Sequence, residues 1–156
     1  MEYIKSARKD DACIFCKAAA GTNDKESLLL YRGKLGFVMM NKYPYANGHL
    51  MVAPYAHTAD IGGLDPAIGA DLFGLIQRTY RVLHDVFHPH GFNIGMNLGR
   101  CGGAGVLDHL HFHLVPRWEG DTNFMPVIGE TKVISEHLLM TYESVAERFK
   151  AEPSAF

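Results

Sequence analysis

Three cysteines among 156 residues are too few, and odd in number, for a disulfide framework. Two of them, Cys13 and Cys16, stand three positions apart, which turns the reading toward thiol or metal use in a reducing compartment. An excess of positive charge is also missing: 15 Lys and Arg against 17 Asp and Glu leave a formal net charge of −2. That excludes the broad basic footprint that holds duplex nucleic acid, so any phosphate recognition must be local. Apolar runs are only a few residues long, and the first ten residues carry no apolar stretch of the signal-peptide kind. No membrane span is therefore expected, and a soluble cytoplasmic protein is. What remains, 47% hydrophobic and 21% charged residues, is ordinary globular composition at the size of one domain.

Residues 1–12 are polar and of mixed charge, and Gly21-Thr22-Asn23-Asp24-Lys25-Glu26 is a second polar, turn-rich stretch. The start reads as a loosely held arm closed by a small cysteine clip. Leu28-Leu29-Leu30-Tyr31 and Phe37-Val38-Met39-Met40, separated by Gly33-Lys34-Leu35-Gly36, predict a hairpin. Asn47-Gly48 then turns the chain into a third strand over residues 49–54. Asp65-Pro66 is a helix start, an aspartate cap followed by a proline at the first helical position. Ile68, Leu72, Leu75, Ile76, Val82, Leu83, Val86 and Phe87 follow at the spacing of one buried helical face, ending near His88-Pro89. Residues 92–97 alternate as a strand, and residues 99–105 hold four glycines, a loop that lets backbone approach a ligand. A last strand is expected over residues 109–115, closed by Pro116, and a second helix over residues 135–151. The order predicts one α+β domain over residues 1–156: a mainly antiparallel five-stranded sheet, one long helix and a C-terminal helix.

The chemistry concentrates in His109-Leu110-His111-Phe112-His113. Alternate side chains of a strand share a face, so the three imidazoles project together while Leu110, Phe112 and Leu114 project into the core. Neighbours in such a row stand about 6.6 Å apart, at roughly 3.3 Å of rise per residue. One metal cannot reach all three, although two adjacent rings leaning inward could share an ion, which keeps a hydrolytic metal centre open. A solvent-exposed polar face is the bland reading. Histidine alone titrates near neutral pH, so a neutral ring offers one nitrogen as a nucleophile while its other nitrogen is oriented by an acceptor. A second imidazole beside it donates to phosphate oxygens.

These residues resemble the histidine triad family, named for histidines alternating with apolar residues. The resemblance extends upstream through Asn41, Asn47-Gly48-His49-Leu50-Met51-Val52-Ala53-Pro54, the helix after Asp65 and Asn97-Leu98-Gly99, covering about Cys13 to Lys132. It implies that His111 attacks the α-phosphate of a dinucleoside polyphosphate such as diadenosine tetraphosphate, or of a nucleoside phosphoramidate, and carries the nucleotide covalently before release to water or another acceptor. His113 by resemblance hydrogen-bonds the phosphate, with His49 beside it; Asn41 stands at the ribose position and Asn97 at the phosphate position. Gly103 and Gly105 are placed to present amide hydrogens to phosphate. The stretch Pro116-Arg117-Trp118-Glu119-Gly120-Asp121-Thr122-Asn123-Phe124-Met125-Pro126-Val127 resembles a bacterial branch that includes dinucleoside polyphosphate hydrolases and phosphorylases. Arg117 could pair with phosphate and Trp118 stack on a base, or both pack at an edge or dimer contact. One departure stands out: where many relatives carry serine, threonine or glutamine before the triad, this chain reads Gly105-Val106-Leu107-Asp108.

Cys13-x-x-Cys16 alone serves redox pairs and zinc sites alike, but no thioredoxin-like strand and helix surround it. The resemblance nominates Cys13, Cys16, His57 and His109 as a closed structural zinc site stitching the N-terminus to the active strand. No catalytic cofactor is expected. The implied partners are a nucleotide substrate and a second copy of the chain, as a homodimer. The other readings are a metal-dependent hydrolase and a nucleotide-binding module without turnover.

Overall fold

The structure, a computed structural model, describes residues 13–121 and 138–152. The expected arm over residues 1–12 and the helix start at residues 135–137 lie outside them. The elements run α1 (Ile14–Ala20), α2 (Asp24–Ser27), β1 (Leu29–Arg32), β2 (Gly36–Met40), β3 (Leu50–Pro54), α3 (Pro66–Phe87), β4 (Gly91–Met96), β5 (Phe112–Arg117) and α4 (Leu138–Ala151). The five strands form one antiparallel sheet in the order β1-β2-β3-β5-β4.

Both faces of the sheet are covered. Val38, Met40, Leu50, Val52 and Leu114 pack on one face against Leu72, Leu75, Ile76, Val82 and Leu83 of α3 and Tyr142, Val145 and Phe149 of α4. Phe37, Met39, Met51 and Ala53 point the other way, onto Phe15 and Ala18 of α1. Every residue of β2 and β3 is therefore buried, and both read as continuous apolar runs rather than as alternating ones.

The long helix begins where expected: Asp65 Oδ1 accepts the Ala67 N–H at 2.8 Å, Pro66 takes the first turn, and His88 ends the helix at φ 44°. Such a cap is worth about 1 kcal/mol. The N-terminal stretch differs from expectation. It holds a seven-residue helix and a single turn, because Phe15 and Ala18 have an apolar sheet face to cover and Asn23 accepts from Glu26 N–H.

The histidine strand also differs. It starts at Phe112, not His109, and runs through Pro116 to Arg117. Pairing with β3 stops at Leu114, beyond which only β4 continues the ladder. The Leu110 N–H bonds Thr58 O on the β3 side and the Arg117 carbonyl accepts from His90 on the β4 side. Alternation then puts the Pro116 nitrogen on the β3 side, where the missing N–H costs no ladder bond.

Helix α4 is tied down by a buried cation. Arg78 Nη2 donates to the carbonyls of Phe149 (3.0 Å) and Glu152 (2.7 Å), and its guanidinium lies 4.2 Å above the Tyr31 ring. The carbonyls at the C-terminus of α4 thus meet a positive charge. Tyr142 Oη adds a bond to the Leu29 carbonyl at 2.9 Å. Replacing Arg78 by Met keeps most of the volume and strands these carbonyls, so Arg78→Met is expected to lower the unfolding free energy by about 2–3 kcal/mol in urea titrations. A loss below about 0.5 kcal/mol, the level of an ordinary surface substitution, would show that α4 does not depend on this contact.

Candidate active site

The histidines sit where the sheet ladder gives out. His113 belongs to β5 and pairs in register with Met51 and Gly95. His49 stands one residue before β3, and His109 and His111 precede β5. The face they share is not open to solvent: His49, His109 and His111 keep 0%, 2% and 4% of their surface. Ring centroids of His111 and His113 are 4.8 Å apart, closer than an ideal strand places its side chains, with planes at 77°.

Hydrogen-bond partners assign the role of each imidazole nitrogen. His111 Nδ1 lies 2.8 Å from the His109 carbonyl, which can only accept. Nδ1 therefore carries the proton and Nε2 keeps the lone pair. The Tyr45 N–H donates to His49 Nδ1 at 3.0 Å, so His49 holds its proton on Nε2. That nitrogen lies 2.9 Å from His113 Nδ1, which must accept, leaving Nε2–H of His113 as a donor. The relay ends in one imidazole with a lone pair beside one with a hydrogen to give.

Burial favours the neutral form of His111 and His113. Desolvation lowers the pKa of His111, partly countered by its bond to the His109 carbonyl. It lowers that of His113 further, to about 4, with the His111 ring adding a smaller push in the same direction.

Asn41 turns toward the same cluster, its Nδ2 3.4 Å from His49 Nδ1 and its Oδ1 accepting from Tyr43 N–H. Asn97 Nδ2 reaches the Gly103 carbonyl at 3.5 Å, drawing the glycine loop together. Gly102 and Gly103 have steric reasons: a Cβ at Gly102 would lie 2.2 Å from the Leu98 carbonyl oxygen, and Gly103 sits at φ 82°. Arg117, at the end of β5, is engaged within the fold. Its guanidinium pairs with both oxygens of Asp121 (2.6 and 2.7 Å) and with Asn93 Oδ1 (2.7 Å), closing the end of β5 against β4. The Trp118 N–H joins the same aspartate, and its ring stays part-exposed.

Cys13, Cys16, His57 and His109 come together with their donor atoms within 4.8 Å of one another, a group able to hold a metal ion. His109 Nε2 donates to the Pro54 carbonyl at 2.9 Å, so its Nδ1 lone pair faces the cluster. From Nδ1 it is 3.4 and 3.6 Å to the two sulfurs and 3.3 Å to His57 Nδ1. A tetrahedral ion with metal–nitrogen and metal–sulfur bonds of ~2.05 and ~2.3 Å separates its ligands by ~3.4 Å (N to N) and ~3.6 Å (N to S). The donor set fits. Burial, then the neighbouring Cys13 thiol, raises the Cys16 pKa, the opposite of an activated redox thiol. Cys101 is exposed in the glycine loop and takes no part.

Four participants escaped the sequence reading. Phe15 packs its ring 4.7 Å from His111 and 5.0 Å from His109, and Tyr45 sits 4.6 Å from His49. The carbonyls of Pro54 and Thr58 hold residues 109 and 110. Phe15 left a faint signal, as the large apolar residue between two cysteines; the carbonyls left none.

Groups facing His113 are the rings of His49, His111 and Tyr45. Its pKa lies below that of an unfolded histidine, so its share of stability is full above about pH 6.5 and is lost as pH falls toward 4. His113→Asn is expected to flatten the pH dependence of unfolding in that window, by at most about 1.4 kcal/mol per pH unit. Parallel pH curves for the two proteins would refute the buried neutral ring.

The HIT domain model matches residues 22–120, which include all four histidines of the relay and the triad but begin after Cys13 and Cys16. An AP-4-A phosphorylase of Mycobacterium tuberculosis is 43% identical over 131 residues, covering 84% of this chain and 67% of that protein. An asymmetrical bis(5'-nucleosyl)-tetraphosphatase of Schizosaccharomyces pombe is 33% identical over 95 residues, covering 61% of this chain and 52% of its own length. A Zn-bound histidine triad family protein from Mycobacterium smegmatis shares the fold, with a TM-score of 0.72 at 23% identity over 90% of this chain and 94% of that one. With the matched stretch running through the whole sheet and every histidine of the relay, the chain belongs to the HIT domain family.

Proposed function

We propose that this protein is a nucleotidyl hydrolase or transferase that cleaves a dinucleoside polyphosphate such as diadenosine tetraphosphate at an α-phosphate, with His111 as covalent nucleophile. The observation that carries it is the bond from His111 Nδ1–H to the His109 carbonyl, which leaves Nε2 with a lone pair on a buried neutral ring. Nε2 attacks the α-phosphorus, the bond from phosphorus to the bridging oxygen breaks, and the remaining polyphosphate leaves with the electron pair. His113 Nε2–H donates to a phosphate oxygen as charge builds there. Water or inorganic phosphate then attacks the same phosphorus, the P–N bond breaks, and its electron pair returns to Nε2.

The relatives named for AP-4-A and bis(5'-nucleosyl)-tetraphosphate chemistry support this substrate class, and phosphate as acceptor makes the reaction a phosphorolysis. The missing polar residue before the triad supports it as well. A polyphosphate departs as a stable anion, whereas the amine of a phosphoramidate must be protonated as it leaves, and Gly105-Val106-Leu107-Asp108 offers no hydroxyl or amide side chain for that. Asn41 and Asn97, with the backbone of Gly103 and Gly105, are read as the ribose and phosphate contacts; Arg117, held by Asp121 and Asn93, and Trp118 are read as standing at the edge of the site. A catalytic metal between His111 and His113 is disfavoured, since His113 spends its lone pair on His49 and has only an N–H left to offer.

The Cys13, Cys16, His57 and His109 group is read as a structural zinc site in a reducing, cytoplasmic setting. Its two thiols and two imidazoles leave no open position for substrate. No helix among the described residues is long and apolar enough to cross a membrane. A homodimer through the β4 side of the sheet is supported by exposed Ile94 on that edge strand and exposed Phe73 and Tyr80 on the α3 surface beside it.

Substituting His111→Asn is expected to lower kcat by at least about a thousandfold while mononucleotide binding persists, and to abolish a trapped nucleotidyl-histidine. Undiminished turnover in that variant would overturn the assignment. With diadenosine tetraphosphate and inorganic phosphate, ADP with ATP is the expected outcome for phosphorolysis and AMP with ATP for hydrolysis. Chromatography of the products separates the two, and the absence of any product would instead identify a binding module.

A further inference from the structure

The ladder does not explain where His111 stands. His113 lies inside β5, bracketed by β3 and β4, but β5 begins only at Phe112. Ahead of it, the Leu110 N–H to Thr58 bond ties the backbone to the segment after β3. A nucleophile in such a segment needs another source of rigidity, because a displacement of about 1 Å costs up to about a hundredfold in rate.

Two paths lead from His111 to the cysteine cluster. The first runs through main chain: His111 Nδ1 is held by the carbonyl of His109, whose own ring is pinned by Pro54 on one nitrogen and faces Cys13, Cys16 and His57 with the other. The second runs through a side chain. Phe15 stands between the two cysteines on α1, is fully buried, and sets its ring against both the His109 ring (5.0 Å) and the His111 ring (4.7 Å). One turn of helix thus carries two cluster donors and the surface on which the nucleophile rests.

We infer that Phe15 and the His109 carbonyl make the Cys13, Cys16, His57 and His109 centre a positioning device for His111, so that filling the centre fixes the attacking ring. The inference rests on the reading of His111 as nucleophile, and Phe15 is a positioning residue that does not touch the reacting atoms. A helix of seven residues has little stability of its own. Without an ion, α1 is held to residue 109 by thiol–imidazole contacts and the Phe15 ring; four metal bonds would replace the former.

The test uses the full chain, loaded with zinc and stripped by chelator, with nitrogen-edited proton NMR of the imidazoles. The His111 Nδ1 proton, buried against a carbonyl, is expected to be sharp and slowly exchanging in the zinc-loaded protein and broadened in the stripped one. The His49 Nε2 proton, bonded to His113 within the sheet, serves as the internal reference and should persist. In zinc-loaded Phe15→Leu the His111 proton should exchange about tenfold faster, with kcat about tenfold lower and KM within about twofold. An unchanged His111 proton in stripped protein that retains the His49 signal would overturn the coupling. Should stripping also erase the His49 signal, zinc-loaded Phe15→Leu decides, and wild-type exchange and kcat in that variant would overturn it. A wild-type enzyme with no turnover would defeat the nucleotidyl reading while leaving the NMR comparison able to support or refute the coupling.

Discussion

A neutral imidazole has one hydrogen to give and one lone pair to offer, and the site depends on a partner deciding which nitrogen does which. Each ring is settled by a group of fixed character. The carbonyls of His109 and Pro54 can only accept, and the N–H of Tyr45 can only donate. From these three backbone groups follow the lone pair on His111 Nε2, the lone pair on His109 Nδ1 and the hydrogen on His113 Nε2. A flipped ring at any of these positions would leave a buried nitrogen facing a like partner, which costs more than an ordinary hydrogen bond contributes.

The sheet makes that arrangement possible by being covered twice. Helices α3 and α4 seal one face with the larger apolar core, so the other face is free to carry polar groups without sacrificing the main store of buried surface. On that second face Phe15, Phe37, Met39 and Met51 form a smaller apolar layer beside which the histidines lie. The layer dries the rings and so lowers their pKa, and the cysteine-bearing helix supplies part of it. Structure and chemistry therefore meet in α1, which lies outside the matched family domain.

Features with a local cause were legible in the sequence. Asp65-Pro66 announces a capped helix, the apolar runs announce β2 and β3, and the alternation of residues 109–113 announces a row of imidazoles. Features with a distant cause were not. Helix α1 exists because a sheet face needs Phe15 and Ala18, so the polar residues around it read as an arm. The row of histidines extends ahead of its strand because β3 pairs only as far as Phe112, and Thr58 and Pro54 take over from there. That Asn93, far off in sequence, shares Arg117 with Asp121 left no mark in the sequence either. Side-chain identity marked residues that the fold brings together, and the backbone groups that assign their protons carry no signature at all.

The choice of a carbonyl rather than a carboxylate behind His111 has a chemical logic. A carboxylate would raise the ring's pKa and hold a larger fraction as imidazolium, which has no lone pair for attack. A carbonyl orients the ring as well, while burial keeps it neutral. In the proposed reaction the ring would gain positive charge as Nε2 bonds to phosphorus, and its Nδ1–H bond to the His109 carbonyl would become charge-assisted and stronger. The gain arises in the transition state more than in the resting enzyme, which is the condition under which an interaction accelerates a reaction rather than tightening substrate binding. On that proposal one hydrogen bond would serve both the neutral resting ring and the cationic intermediate, provided its acceptor cannot move, and the His109 carbonyl belongs to a residue whose ring is itself held at both nitrogens.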